Sequence, residues 1–329
     1  MRDKTVDILK GFAILLMVMG HFLAAATSHL DGGEPHNGWL VGQWIYSFHM
    51  PLFFFLTGYL SVKAPSSLHN FGCKVLRKVQ TLLMPGVAFM LIGYWFTGGW
   101  EMAWFLKVLF QLTVVFACVR YFVEKYKISM LWELVIHAIV FVVWFVGSHY
   151  IKGTWAAEHL WIHNAAVRYP YIVLGYVFAR LNWKQLLQKN NWLLTLSMVV
   201  YAATYYVANW LIGGTFAAYI KSYVVAPAAI MVCMGLVQRV NVDSKLSHAL
   251  CYMGERTLAI YLLSNYFLLT LPGLADWWIV QNNVTSVVMQ LVTSFGASAL
   301  CIALCLVMEW IISQSNILNF ICFGKSIKK

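Results

Sequence analysis

The apolar residues of this chain fall in blocks of about 20. At 1.5 Å of rise per residue, a helix of that length crosses a hydrocarbon core about 30 Å thick. Ten such blocks run at about 8–28, 40–62, 79–96, 102–122, 130–151, 165–181, 191–211, 216–238, 254–273 and 284–314. A span in lipid must satisfy its backbone polar groups within its own segment, so each block is predicted to be a helix. The pattern therefore predicts an all-α, polytopic membrane bundle of about ten transmembrane helices. The first block is too long and too lightly flanked for a cleavable signal, and is expected to remain as the first helix. The polar stretches around 29–39, 63–78 and 239–253 are short and are expected to be loops. Residues 1–329 are thus expected to form a single integral-membrane domain with no appended soluble domain, and any chemistry must sit inside the bundle or at its mouths.

Composition agrees with this reading. Of 329 residues, 61% are hydrophobic and 11% charged, against about 25% charged in soluble domains. The mean hydropathy is +0.71. The net charge of +11 would suit nucleic acid, but the placement of the cations argues against it. Lys and Arg crowd alternate inter-span segments: Arg2, Lys4 and Lys10; Lys63, Lys74, Arg77 and Lys78; Arg120, Lys125 and Lys127; Arg180, Lys184 and Lys189; Arg239 and Lys245; Lys325, Lys328 and Lys329. The opposite segments hold almost none, Lys152 and Lys221 excepted. By the positive-inside rule both termini are cytoplasmic, in a multi-pass protein of the inner (plasma) membrane. The seven cysteines show no CxxC pair and no Cys/His metal spacing, so neither a disulfide framework nor a metal site is expected. Cys301 and Cys305 share a helix face, which core packing explains.

An ionisable group inside a span is costly, and by default marks function. His21 lies 14 residues after Asp7, about 20 Å deeper on a straight helix. His49 lies about nine residues from the outer end of the second span, so the two histidines are expected at similar depth on antiparallel neighbours. Two imidazoles in one cavity suit a neutral general base. The alternative is that each donates to a backbone carbonyl near Gly20 or Pro51. Lys74, Arg77 and Lys78, followed by in-span Pro85, suit a phosphate-rich ligand at the cytoplasmic entrance. Positive-inside anchoring explains any one of them alone. His159, His163 and Arg168, with Glu158, approach the external mouth of the sixth span, where a sugar or lipid-linked phosphate can be held. Trp155 and Trp161 fit the interfacial aromatic belt. Glu101 and Glu133, near span ends, are expected to be solvated, and the sequence neighbours Glu255 and Arg256 are not expected to pair.

The stretches "DILKGFAILLMVMGH" and "SFHMPLFFFLTGYL", then a basic stretch ending in an in-span proline, resemble the large family of integral-membrane acyltransferases. That family includes O-antigen, capsule and fucose 4-O-acetylases and nodulation-factor acetylases. "RYPYIVLGY" and "MGERTLAIYLLSNY" resemble two later patterns of the family more weakly. The resemblance, from Asp7 to about Tyr266, implies a ten-helix bundle moving an acyl group, usually acetyl, from cytosolic acyl-CoA. The acceptor it implies is a hydroxyl of a cell-surface or lipid-linked glycan. His21 matches the family's first-helix histidine, the preferred catalytic base, with His49 and Asp7 as further catalytic candidates. Lys10 matches the basic residue before the glycine. Lys74, Arg77 and Lys78 stand where the family places an arginine pair on the coenzyme's phosphates. Glu158, His163 and Arg168 are the acceptor-side candidates. Asn265 stands where the family often has histidine. Transfer is expected to be direct, with a histidine-bound acyl intermediate as the alternative. The implied partners are acyl-CoA, the glycan acceptor and the bilayer, with no nucleic acid and no metal, and with oligomers allowed. Competing readings are a glycan-precursor flippase or exporter without catalysis, and a non-catalytic subunit or sensor.

Overall fold

The computed structural model describes residues 3–30, 37–97, 103–271 and 273–325. Arg2, Glu101, Lys328 and Lys329, used above, lie outside the described residues. Every regular element among the described residues is a helix. In chain order these are α1 (Lys4–Thr27), α2 (Leu40–Tyr46), α3 (His49–Tyr59), α4 (Leu68–Lys78), α5 (Met84–Thr97), α6 (Trp104–Lys125) and α7 (Met130–Tyr150). There follow α8 (Trp155–His159), α9 (Ile162–Arg180), α10 (Trp183–Lys189), α11 (Asn191–Tyr206), α12 (Gly214–Ile220) and α13 (Ala226–Val237). The last are α14 (Lys245–Glu255), α15 (Thr257–Phe267), α16 (Leu274–Ile279), α17 (Asn283–Ser313) and α18 (Asn316–Phe323).

Six continuous helical runs among the described residues are long and apolar enough to cross a membrane: Lys4–Leu30, Leu68–Trp95, Trp104–Lys125, Met130–Tyr150, Gly214–Val237 and Asn283–Ser313. This is a multi-pass, all-helical membrane protein. The other four predicted blocks are helical in part. Block 40–62 is α2 and α3, separated at Ser47 and Phe48; block 165–181 lies in α9; blocks 191–211 and 254–273 hold α11 and α15. Exposed Ile139, Val142, Val143 and Val146 on α7, and Val284, Val288, Val292 and Phe295 on α17, form apolar faces suited to lipid.

Proline shapes two of the spans. Single π-helical turns at Val79–Leu83 and Lys221–Val225 each end two residues before a proline, Pro85 and Pro227. Proline lacks the N–H that continues the ladder, and a π turn absorbs the mismatch without breaking the helix. The in-span Pro85 is thus accommodated by a π turn within one continuous helical run.

The chain forms two compact units, residues 1–53 with 183–310, and residues 54–182 with 311–329. In the first unit, residues 245–253, expected to be loop, form α14. A methyl group on Gly11 would lie 1.9 Å from the Leu250 carbonyl oxygen, and one on Gly254 would lie 1.9 Å from the Asp7 carbonyl oxygen. The two glycines thus let α1 and α14 cross backbone to backbone. Their polar composition hid this helix from a hydropathy reading. Arg256 breaks the helix between α14 and α15, and its Nη1 lies 3.7 Å from Glu255. The rule that helix neighbours face apart fails at such a break, which corrects the expectation for this pair. Arg256 also meets Glu309 of α17 at 3.3 Å. Along α17, Ser286, Gln290, Ser294, Ser298, Cys301 and Cys305 are buried, the small side chains permitting close packing. The Gln290 side-chain oxygen accepts the Val41 N–H at 2.9 Å and so fixes the start of α2. The second unit repeats the glycine device, with Gly58 of α3 on Ile172 O and Gly175 of α9 on Phe55 O.

Asp3 caps α1, accepting from the Thr5 N–H and from Lys184 Nζ at 2.7 Å. Burial raises its carboxyl pKa, but the hydrogen bonds from Lys184 and Thr5 win and hold it below the ordinary value of 3.8. The stability this gives is complete above the ordinary carboxylate range and is lost as pH falls through the lower folded value. Asp3→Ala should cost about 1 kcal/mol at neutral pH. In thermal melts of the purified protein, the gap from wild type should close on acidification below about pH 4.

Candidate active site

In the first unit, α1 carries His21 just after Gly20, whose small size lets Tyr46 and Ile45 of α2 come close. His21 is partly exposed, and its ring makes no hydrogen bond or ion pair among the described residues. His49 differs. It is 2% exposed, its Nδ1 lies 2.8 Å from the Ile45 carbonyl, and its ring meets Tyr46 edge-on at 5.1 Å. The Ile45 carbonyl lies where α2 ends and also accepts the Phe48 N–H at 3.3 Å, so one His49 nitrogen makes the backbone-carbonyl contact that stood as the alternative to catalysis. Both His21 ring nitrogens are without such a bond among the described residues. Tyr46 touches both places, against Gly20 on one side and His49 on the other.

Lys10 and Asp7 lie one turn apart on α1, with Nζ 3.7 Å from Oδ1, Asp7 buried and Lys10 a quarter exposed. Asp7 therefore neutralises Lys10, as its spacing suggested, beside the Gly11–Leu250 and Gly254–Asp7 backbone contacts. An apolar cavity of 260 Å³ opens in the same unit, lined by Phe12, Trp44, Phe48, Tyr201, Cys233 and Leu236 among others.

In the second unit, the three cations singled out by spacing line one cavity of 750 Å³. Lys74, Arg77 and Lys78 of α4 are joined there by Lys63, from the α3–α4 connection, and Arg120 of α6. None of the described lining residues is acidic. The α4 register explains the cluster: positions 74, 77 and 78 fall on one helix face. Lys74 Nζ donates to the Lys63 carbonyl at 2.6 Å, so the connection and the helix are tied at the cavity's edge. Arg77 is exposed, and its guanidinium has no partner among the described residues. Such a concentration of donors suits a polyanion carrying several phosphate oxygens.

Behind the lining residue Arg120 lies a group that the sequence reading missed. Glu133, expected to be solvated, is 1% exposed and receives Arg120 Nη1 at 2.5 Å. Its other oxygen accepts from Tyr176 Oη at 3.0 Å, and Arg180 donates to the same Tyr176 oxygen. His137 of α7 sits beside this group, its Nδ1 2.7 Å from Tyr169 Oη and its ring stacked on Phe116. The signal was available. Arg120 and Glu133 stand five residues before the end of α6 and three after the start of α7, so the short turn folds them together.

The acceptor-side candidates of this unit are only partly gathered. His163 Nδ1 lies 2.9 Å from Ser148 Oγ, with the His149 ring 4.9 Å away. Arg168 is held by the Asn164 carbonyl and side chain and covers the Trp104 ring, which stacks on Trp161. Glu158 is exposed with no side-chain partner among the described residues, and His159 bonds the Trp155 carbonyl. No group of three or more His, Cys, Asp or Glu side chains among the described residues is arranged to hold a metal ion.

Comparison with known proteins follows the same lines. Residues 3–310 match the model of an acyltransferase domain family, acyltransferase type 3. One curated relative is the nodulation protein NolL of Sinorhizobium fredii (strain NBRC 101917 / NGR234), 37% identical over 86 residues. That stretch covers 25% of this chain and 22% of NolL, so the chain spans under a quarter of this relative. No solved structure matches.

Proposed function

The chain belongs to this acyltransferase family, and on that premise we propose that it is a membrane O-acyltransferase. It moves an acyl group, most simply acetyl, from cytosolic acyl-CoA to a hydroxyl of a cell-surface or lipid-linked glycan. The observation that carries this reading is the 750 Å³ cavity with five cations and no acidic lining among its described residues. Coenzyme A presents a diphosphate and a ribose phosphate, and such groups bind best where guanidinium and ammonium donors converge. The bundle crosses with ten spans and keeps this basic face, with both termini, in the cytoplasm.

His21 is the general base. Its unpartnered ring nitrogen accepts the proton of the acceptor hydroxyl, whose oxygen attacks the thioester carbonyl carbon. The carbon–sulfur bond then breaks, and the departing thiolate takes up the proton as the free thiol. Lys10, paired with Asp7, marks the cytoplasmic end of α1. His163 and Arg168, with Glu158 at their edge, serve the acceptor. Both have hydrogen-bonding side chains of the kind that orients a sugar.

The donor assignment is tested on purified protein in nanodiscs. Replacing Lys74, Arg77 and Lys78 together by alanine should weaken coenzyme A binding about 100-fold, on the basis of about 1 kcal/mol for each lost charge-assisted contact. Unchanged affinity in a folded triple variant removes the donor site from this cavity.

A further inference from the structure

Arg120 and Glu133 are almost entirely enclosed, at 3% and 1% exposure, in helices that cross the hydrocarbon core. Stability does not account for them. A buried ion pair seldom exceeds the apolar packing that could replace it, so the pair calls for another role. Their surroundings show the task. Arg120 Nη1 goes to Glu133, while Nη2 donates to the Val62 carbonyl at 3.2 Å. Val62 and Lys63 belong to the non-helical connection between α3 and α4, where carbonyls have no ladder partner of their own. The next carbonyl, that of Lys63, accepts Lys74 Nζ at 2.6 Å. An unbroken path of side chain and backbone thus runs from Glu133 through Arg120, Val62 and Lys63 to Lys74, and its last two cations line the basic cavity.

We propose that Arg120, oriented by Glu133, is a positioning residue for the donor cavity: it pins the connection that places Lys63 and Lys74 on the donor's phosphates. The inference rests on the reading of this cavity as the acyl-CoA site. The guanidinium fork is what the position needs. One planar group serves a carboxylate and a carbonyl through two separate nitrogens held at fixed directions, where an ammonium has to reach both acceptors from a single nitrogen. Tyr176 completes the support, donating to Glu133 while its ring lies 4.6 Å beneath the Arg120 guanidinium. The carboxylate orients the fork and offsets its charge, so the cation contributes geometry and not field.

Removing one partner alone would leave the other charge buried and uncompensated, and such a variant would misfold. The test therefore uses the double variant Arg120→Met with Glu133→Leu, which leaves no charge behind, and Arg120→Lys, which keeps the pair but loses the second arm. In nanodisc-reconstituted protein, the double variant should raise KM for acetyl-CoA about tenfold, as expected for a lost charge-assisted contact, with kcat within about twofold. Arg120→Lys should raise KM about threefold. A pair that only clamps the α6–α7 hairpin would lower thermal stability and leave KM unmoved in both folded variants, and that result overturns the proposal. Arg77→Ala, measured alongside, separates the two levels. If it weakens coenzyme A binding while the pair variants do not, the positioning role alone falls. If Arg77→Ala also has no effect, the donor reading falls and the positioning role with it.

Discussion

Replacing His21 by alanine should lower acyl transfer by a factor of about 100 to 10,000, the usual contribution of a positioned general base. It should leave the melting temperature and the coenzyme A affinity close to wild type. Both halves of that expectation come from one fact: the His21 ring has no hydrogen bond or ion pair among the described residues. A side chain that holds nothing can be removed with little loss of stability, of the order of 0.5 kcal/mol, as for surface substitutions away from special features. His49→Ala should behave in the opposite way, because it deletes the bond to the Ile45 carbonyl and the contact with Tyr46. Its deficit should appear as lost stability of about 1 kcal/mol for the hydrogen bond, with the lost ring packing added to it, while the Ile45 carbonyl keeps the Phe48 N–H. Thermal unfolding and initial rates on the same preparations decide both. If His21→Ala transfers at the wild-type rate, His21 is not the base. If it unfolds instead, its ring is structural after all.

The second large effect is mechanical. Gly254→Ala or Gly11→Ala places a methyl carbon 1.9 Å from a carbonyl oxygen of the facing helix, well inside van der Waals contact. The clash is with backbone on both sides, so no rotamer change relieves it and α1 and α14 must part. The cost should reach about 3 kcal/mol, the upper end of overpacking penalties, or more. Activity should fall with it, since Asp7 and Lys10 sit at the same crossing. Gly72 and Gly147 provide the internal control, because a methyl group at either meets nothing within 4 Å. In these helix interiors alanine should stabilise, by up to about 1 kcal/mol. Equal melting temperatures for Gly11→Ala and Gly147→Ala would mean that the helices do not cross as described.

Hydrophobic blocks made the helices legible, because a lipid-spanning helix announces itself by length and apolarity alone. The same criterion hid α14, whose contact with α1 is made by glycine and backbone, groups that hydropathy scales barely register. The basic cavity was legible for a different reason: Lys74, Arg77 and Lys78 are local in sequence, and helical spacing places them on one face. Lys63 and Arg120 join them only through tertiary folding, so charge spacing along one helix could not find them. Glu133 was misread as solvated because its position near a span end says nothing about its neighbour on α6. The closeness of Arg120 and Glu133 to one short turn, on either side of it, was the clue, and a charge search across antiparallel hairpins would have used it. Depth in the spans singled out both histidines, yet only packing distinguished the one bonded to a carbonyl from the one left open.

The account stands or falls on catalysis. The most direct measurement supplies purified protein in nanodiscs with radiolabelled acetyl-CoA and a lipid-linked glycan extract, and follows label in the glycan against free thiol released. Acyl transfer predicts one thiol for each acetyl ester formed, dependent on the glycan and lowered at least about 100-fold by His21→Ala. Movement of the glycan across the membrane with no thiol released would contradict it, and would make the chain a carrier.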